Sequence, residues 1–116
     1  MKHLLVLYAD ESGFPPPGSP EAEKQMAGYD AFYKEVSGRD AFQGGDPVQP
    51  SATATTVSVR DGKAEATPGP ARPGGEQIIG FYVLDVRDQA EAVELAAKIP
   101  AAAHGHVEVR PILVLS

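Results

Sequence analysis

An α+β fold is predicted, with an antiparallel sheet and both helices on one side of it. Three observations predict it. The first is the run Ile78 to Val86, IIGFYVLDV, the longest nearly unbroken apolar stretch in 116 residues. The second is a pair of amphipathic helix patterns, each behind a strand-like run and each with its own start signal. The third is an Asp-Gly pair between two alternating stretches, the signature of a hairpin.

The run Ile78–Val86 is longer than a typical edge strand and far too short to span a membrane as a helix. Its β-branched and aromatic residues favour a strand. Ile79, Phe81 and Val83 alternate with Ile78, Tyr82, Leu84 and Val86, so both faces are apolar and each needs a cover. Two helices cover one face, and the other needs a second subunit.

Leu4 to Ala9 (LLVLYA), stopped by Asp10-Glu11, reads as a buried strand. The prolines of Ser12–Gly18 (SGFPPPG) exclude helix and favour a semi-rigid polyproline II loop. Ser19-Pro20-Glu21 starts the first helix with a hydroxyl cap, a proline at the first position and an acid near the positive dipole end. Ala22, Met26, Tyr29, Tyr33 and Val36 then form its apolar stripe, which Phe32 widens. Gly28 within that stripe costs about 1 kcal/mol against alanine, which points to close packing there. Gly38 is the expected stop.

Ala41–Pro50 reads as a short irregular strand, because Gly44, Gly45 and Pro47 do not fit a regular central ladder. Thr53–Arg60 and Lys63–Thr67 are the strands of a hairpin turning at Asp61-Gly62. Pro68–Gly75 (PGPARPGG) is a loop that leads through Glu76-Gln77 into the central run. Asp88 with Glu91 resembles a capping box and opens a second helix over Gln89–Ile99, with Ala92, Leu95, Ala96 and Ile99 facing inward. Ala101–Gly105 reads as a loop. His106–Leu115 reads as a last strand, held to an edge or bulge by Pro111.

The order β-α-β-β-β-β-α-β is two β-α-β halves with a hairpin inserted, which is a ferredoxin-like plait. Its open face is too apolar to stay wet, so two sheets are expected to pack face to face in a two-fold homodimer.

At this length one domain, residues 1–116, is expected, burying roughly 65% of its unfolded surface. The chain has no Cys, which excludes disulfides, thiolate metal sites and cysteine nucleophiles. A net charge of −6 argues against nucleic acid and against anionic membrane surfaces as partners. Only a short apolar run, Leu4–Ala9, follows the start before Asp10, which is too short for a signal peptide, so a cytoplasmic setting is expected.

Several side chains carry candidate chemistry, each beside a plainer reading. Asp10 and Glu11 are an acid/base pair or solvated loop acids, and neighbours on a strand point to opposite sides. His104 and His106 have the spacing to share a strand face, but a metal would want a third ligand. No metal and no cofactor is expected. Glu108 and Arg110 share a parity on the last strand and form either a surface ion pair or part of a cleft. Tyr8 and Tyr29 present apolar bodies with polar tips. Glu76, between loop and central strand, is positioned to meet a ligand or solvent. Phosphate-binding glycine loops, a Gly-x-Ser-x-Gly elbow and internal repeats are all absent from the sequence.

The segment Ser51–Val86 resembles the YCII-related superfamily, and more narrowly its DGPF branch: a threonine-rich strand, an Asp-Gly turn, a Pro-Gly-Pro loop, Glu-Gln, then a Gly-Phe-Tyr strand. The opening LLVLYADE, Tyr29 and Phe32 on the first helix, and the ending VEVRPI match as well. The branch's Thr-Asp-Gly-Pro-Phe loop reads Thr67-Pro68-Gly69-Pro70-Ala71 here, so its acid and its aromatic are replaced. By position, the suspected His-Asp pair of the wider superfamily falls on Tyr29 and Ile99. A proton relay needs two titratable groups, and Ile99 is not one.

The resemblance implies a dimeric α+β barrel with a cleft between sheet and helices. It also implies a bacterial setting near extracytoplasmic-function sigma factors, in a family of mostly uncharacterised proteins. The first expectation is a homodimeric small-molecule-binding or regulatory module, with a pocket between sheet and first helix lined by Tyr8, Tyr29, Glu108 and Arg110. The rival is a lyase- or isomerase-like enzyme using Asp10, Glu76 or His106 as acid or base. A weaker third is a sigma-factor partner.

Overall fold

The structure is a computed structural model, and it describes residues 1–115. Six strands and three helices follow one another along the chain. They are β1 (Lys2–Asp10), α1 (Pro20–Gly38), β2 (Phe42–Pro47), β3 (Thr55–Arg60), β4 (Lys63–Pro68), β5 (Glu76–Asp85), α2 (Gln89–Ala96), α3 (Ala101–His104) and β6 (His106–Pro111). Four strands form one antiparallel sheet in the order β2-β5-β1-β6, and β3 with β4 forms a separate ribbon. Without the ribbon this is the ferredoxin-like α+β arrangement the element order predicts.

The apolar run lies within β5, which holds an inner position between β1 and β2. Period-two alternation then sorts β1 onto two faces. His3, Leu5, Leu7 and Ala9 are buried, while Leu4, Val6 and Tyr8 are half-buried. The buried set meets the helices: Leu5, Leu7, Phe32, Val36, Leu84, Leu95 and Ile99 belong to one core. A bulge at Leu7/Tyr8 shifts the register with β5, so Leu7 opposes Gly80 and Tyr8 opposes Ile78.

Local signals explain most boundaries. The Ser19 side chain accepts a hydrogen bond from the Ala22 N–H at 3.2 Å, and Asp88 accepts from the Glu91 N–H at 2.9 Å. Glu91 in turn accepts from the Arg87 N–H at 2.9 Å, one residue earlier than a capping box would have it. Asp61 and Gly62 have φ of 52° and 76°, both positive, as a type I′ hairpin turn requires. The close approach expected at Gly28 exists: a Cβ there would sit 2.8 Å from Pro100 Cγ, where α1 crosses the end of the second helical segment.

Five expectations are corrected. Strand β6 ends at Pro111, not Leu115, because Pro111 has no N–H to continue the ladder, and Leu113–Leu115 lie exposed beyond it. Helix α2 stops at Ala96, and the chain runs through turns to Pro100, whose φ of −52° opens the short helix α3 where a loop is expected. Helix α1 runs through Gly38, and the left-handed residue that ends it is Asp40, with φ 56°. On α1 the buried residues are Phe32 and Val36, while Met26 and Tyr33 are exposed, so the inward face is rotated toward Phe32. The acidic end of β1 continues into a 3-10 turn at Glu11–Gly13, ahead of the prolines.

The central run does not have two covers within one chain. All three helices lie on the side of His3, Leu5 and Leu7, and the opposite side keeps Leu4, Val6, Phe81 and Val83 only half-buried. The ribbon stands apart from the sheet. Its apolar pairs Val57–Ala66 and Val59–Ala64 share one face, and Val57 and Val59 are 64% and 59% exposed. The radius of gyration, 16.1 Å, exceeds the about 13 Å expected of a closed domain this long.

Candidate functional site

A cavity of about 720 Å³ lies between helix α1 and the β2–β5 side of the sheet. Its size falls within the usual range for small-molecule sites, roughly 300–1,000 Å³. Leu7, Phe42 and Tyr82 form its sheet wall and Ala22, Met26, Tyr29 and Tyr33 its helix wall. The Phe14-Pro15 end of the proline-rich loop and Pro47-Val48 close its rim.

Helical spacing puts Tyr29 and Tyr33 one turn apart on the same side of α1. Tyr82 reaches the cavity because it shares the helix-side parity of Leu84 on β5, and Gly45, opposite it on β2, leaves room for the ring. The Phe32 and Tyr82 rings are 4.9 Å apart and tilted, and Tyr33 meets Phe42 edge-on at 5.1 Å. These contacts hold the rings in place before any ligand arrives.

The two inner phenols are protonated at neutral pH. Burial pushes the Tyr29 hydroxyl above its ordinary value, partly opposed by the Ala101 backbone N–H. Burial also raises Tyr82, helped by the neighbouring Tyr29 phenol. Both groups therefore offer an O–H to a ligand and are poor bases. None of the lining residues is Lys, Arg or His.

The other candidates gather elsewhere. Cross-strand register places Asp10 opposite Glu76, Tyr8 opposite Ile78 and His106, Val6 opposite Glu108, and Leu4 opposite Arg110. Asp10, Tyr8, Glu76, His106, Glu108 and Arg110 thus share the face of the sheet that no helix covers. Tyr29 alone lies on the helix side, so the structure does not bring it together with Tyr8, Glu108 and Arg110 in one pocket.

On that open face, His106 Nδ1 lies 2.8 Å from Glu76 Oε1. The Tyr8 hydroxyl donates to Glu108 at 3.4 Å, and Arg110 donates to the other Glu108 oxygen at 3.3 Å. Asp10 accepts from the Ser12 backbone and hydroxyl at 3.0 and 2.7 Å, which holds its carboxyl below the usual range and caps the 3-10 turn. Glu11 binds the Ser51 N–H and hydroxyl, tying two loops together. His104 ends α3 and is off the strand, so it does not share a strand face with His106. Among the described residues, no three His, Asp or Glu side chains converge as a metal site.

A second cavity, about 610 Å³, opens beside this face between Tyr8, Glu76, Ser51, Thr56 and Arg72. The loop after β4 supplies one wall through Pro70 and Ala71. That loop is anchored: the buried Gln77 side chain donates to the Arg72 and Gly74 carbonyls at 2.8 and 2.9 Å, and Thr56 donates to Gly69 O at 2.8 Å.

Sequence reasoning misses Phe14, Tyr33, Phe42, Tyr82 and Gln77 as site residues. The i, i+4 spacing of Tyr29 and Tyr33 is the one signal that points toward the cavity. Phe42 and Tyr82 join it only through a pairing of distant strands. No helix among the described residues is long and apolar enough to cross a membrane.

Comparison with known families assigns the chain. The YCII-related domain matches residues 1–116, and the chain belongs to that family. No curated protein matches it.

Proposed function

We propose that this YCII-related protein is a homodimeric binding or regulatory module that holds a small apolar molecule in the cavity under helix α1. The observation that carries the reading is the character of that cavity. It is ring-lined and sized for a small molecule, and its half-buried polar side chains, the Tyr29 and Tyr82 phenols and the Gln25 amide, are neutral. Such a site orients a ligand by hydrogen bonds and packing, and it lacks the paired acid and base that a proton-transfer enzyme needs. The superfamily's suspected pair maps onto Tyr29 and the buried aliphatic Ile99, which fits binding rather than proton relay.

The dimer rests on the uncovered face. Rows Leu4–Val83, Val6–Phe81 and Tyr8–Ile78 form an apolar stripe flanked by the Glu108–Arg110 pair. Sheet-on-sheet packing of two copies would cover the stripe. The apolar side of the β3–β4 ribbon lacks a cover too, and an isolated two-stranded ribbon is marginal in water. A second chain reaching it would stabilise it.

A rival reading has one specific observation behind it. The Glu76–His106 contact at 2.8 Å is an acid/base pair, and Glu76 borders the second cavity with Tyr8. A lyase- or isomerase-like reaction would belong there. His106 is 80% exposed, though, and a catalytic imidazole is usually sheltered once its site is assembled.

Binding of the neutral dye Nile red tests the reading. Saturable fluorescence is expected, and Ala22→Trp, which fills the cavity from the first turn of α1, should abolish it with the circular dichroism unchanged. Met26→Trp, on the exposed rim, is a second blocking variant that does not disturb the core. Equal dye binding by wild type and both variants would remove the cavity from the account. Retention of the dye response alongside its loss in Glu76→Gln would move the site to the second cavity.

A further inference from the structure

The chemistry of the walls says which molecules the α1 cavity accepts. We propose that its ligand is a ring-bearing small molecule that is neutral or positively charged, and that the cavity rejects anions. The inference deepens the binding reading above and rests on it.

Among the described residues, those along the cavity that carry charge are acids, Asp30 and Asp46. Asp30 is at the solvent side of α1, where it pairs with Lys34 at 2.9 Å, both side chains being well exposed. None of the described residues in the cavity wall is a cation. A carboxylate or phosphate moved into this space would lose its hydration and find no counter-charge. It would also meet the negative potential of a chain whose net charge is −6.

The rings favour the opposite sign. Aromatic faces carry partial negative charge and attract ammonium groups within about 6 Å of the ring centre. Tyr29, Tyr33, Phe42 and Tyr82 surround the space from two walls. Asp46, which lines the cavity from β2, adds an attraction for a cation that enters, whereas Asp30 is already paired with Lys34. The phenols of Tyr29 and Tyr82, kept protonated by burial, donate to an ether, carbonyl or ring nitrogen on the ligand. A flat molecule carrying an acceptor and no negative charge satisfies all of these groups at once.

The rim is built for apolar traffic. Phe14, Met26, Tyr33 and Val48 are large, exposed and apolar, and all four border this one opening. Such residues guide a poorly soluble ring system inward and hold its outer edge.

Displacement of Nile red by three matched compounds at pH 7.5 tests the inference: 1-naphthylmethylamine, 1-naphthalenemethanol and 1-naphthoate. The amine and the alcohol are expected to bind at least tenfold tighter than the carboxylate. Met26→Arg, which adds a cation at the exposed rim, should reverse the order by strengthening naphthoate and weakening the amine. Tyr29→Phe should weaken the alcohol severalfold while leaving Nile red within twofold. Naphthoate binding as tightly as the amine to the wild type overturns the charge preference and leaves the binding reading standing. Dye binding that Ala22→Trp and Met26→Trp do not change, with no displacement by any of the three, overturns both.

Discussion

The two faces of one four-stranded sheet have different fates, although the same strands make both. On the helix side, Leu5 and Leu84 are fully buried, with Phe32, Leu95 and Ile99 packed against them. On the other side, Val6 and Phe81 are cross-strand partners, yet remain half-buried beside a charged row on β6. The residue types differ little; what differs is whether an element of the same chain reaches over them. Burial in the monomer therefore separates side chains that hold the fold from those on the uncovered face, which the proposed dimer would cover.

The largest effect expected from that difference is in the core. Leu5→Ala should lower unfolding free energy by about 2–5 kcal/mol in urea titrations at fixed protein concentration. Val6→Ala, one residue away, should cost much less of the monomer's stability. Equal losses would mean that the two faces are not energetically distinct.

Next in size is a change of assembly. Phe81→Asp should leave far-ultraviolet circular dichroism unchanged and move the mass measured by light scattering from dimer to monomer. A wild type that is already monomeric at micromolar concentration would place the open face in water and end the dimer proposal.

A smaller effect sits in the helix-side core. His3 is fully buried, its Nδ1 lies 3.2 Å from the Met1 carbonyl, and its Nε2 has no partner among the described residues. A buried polar atom left unpaired costs about 1–3 kcal/mol, whereas an apolar replacement of similar shape is often neutral or better. His3→Leu is thus expected to hold or raise the thermal midpoint. A clear drop would show that the imidazole is paired after all.

The smallest effect is in the acid limb. Glu35 is held below its ordinary range first by a 2.7 Å hydrogen bond from Lys98, and Glu91 first by the Arg87 backbone N–H. Because these folded-state values are depressed, their contribution is present above the unfolded carboxylate value, about 4.3, and is lost as pH falls through the folded one. Glu35→Gln should lower stability slightly at neutral pH, where the contribution is present, and flatten its decline below about pH 4.5, so that variant and wild type converge in acid. An unchanged acid limb would mean that the Lys98 contact contributes nothing in solution.

The plait was legible because its signals are local. Ser19-Pro20, Asp88 and Asp61-Gly62 act within a few residues of themselves, and each marks a boundary the structure has. The end of the second helix was not legible, because Pro100 starts a new turn there and packs on Gly28, a contact far away in sequence. The candidate site was half legible. Asp10, Glu76, His106, Glu108 and Arg110 stand out in the sequence for their chemistry, and their common face follows from register between strands up to 100 residues apart, as in the Tyr8–Glu108 bond. The rings of the cavity were missed because Phe42 and Tyr82 read as ordinary strand residues until β2 pairs with β5.

By itself the sequence determined where the six strands and the two longer helices lie, though not all their ends or the short α3, that the β5 run is apolar on both faces, and that no thiol is available. Only the tertiary structure decided which parity of each strand the helices cover, and so which tyrosine meets a cavity and which meets the open face. The reason is physical. Capping and periodicity are set by neighbours along the chain, whereas register and burial are set by contacts between distant residues, and a one-residue bulge such as that at Leu7/Tyr8 reassigns every side chain beyond it.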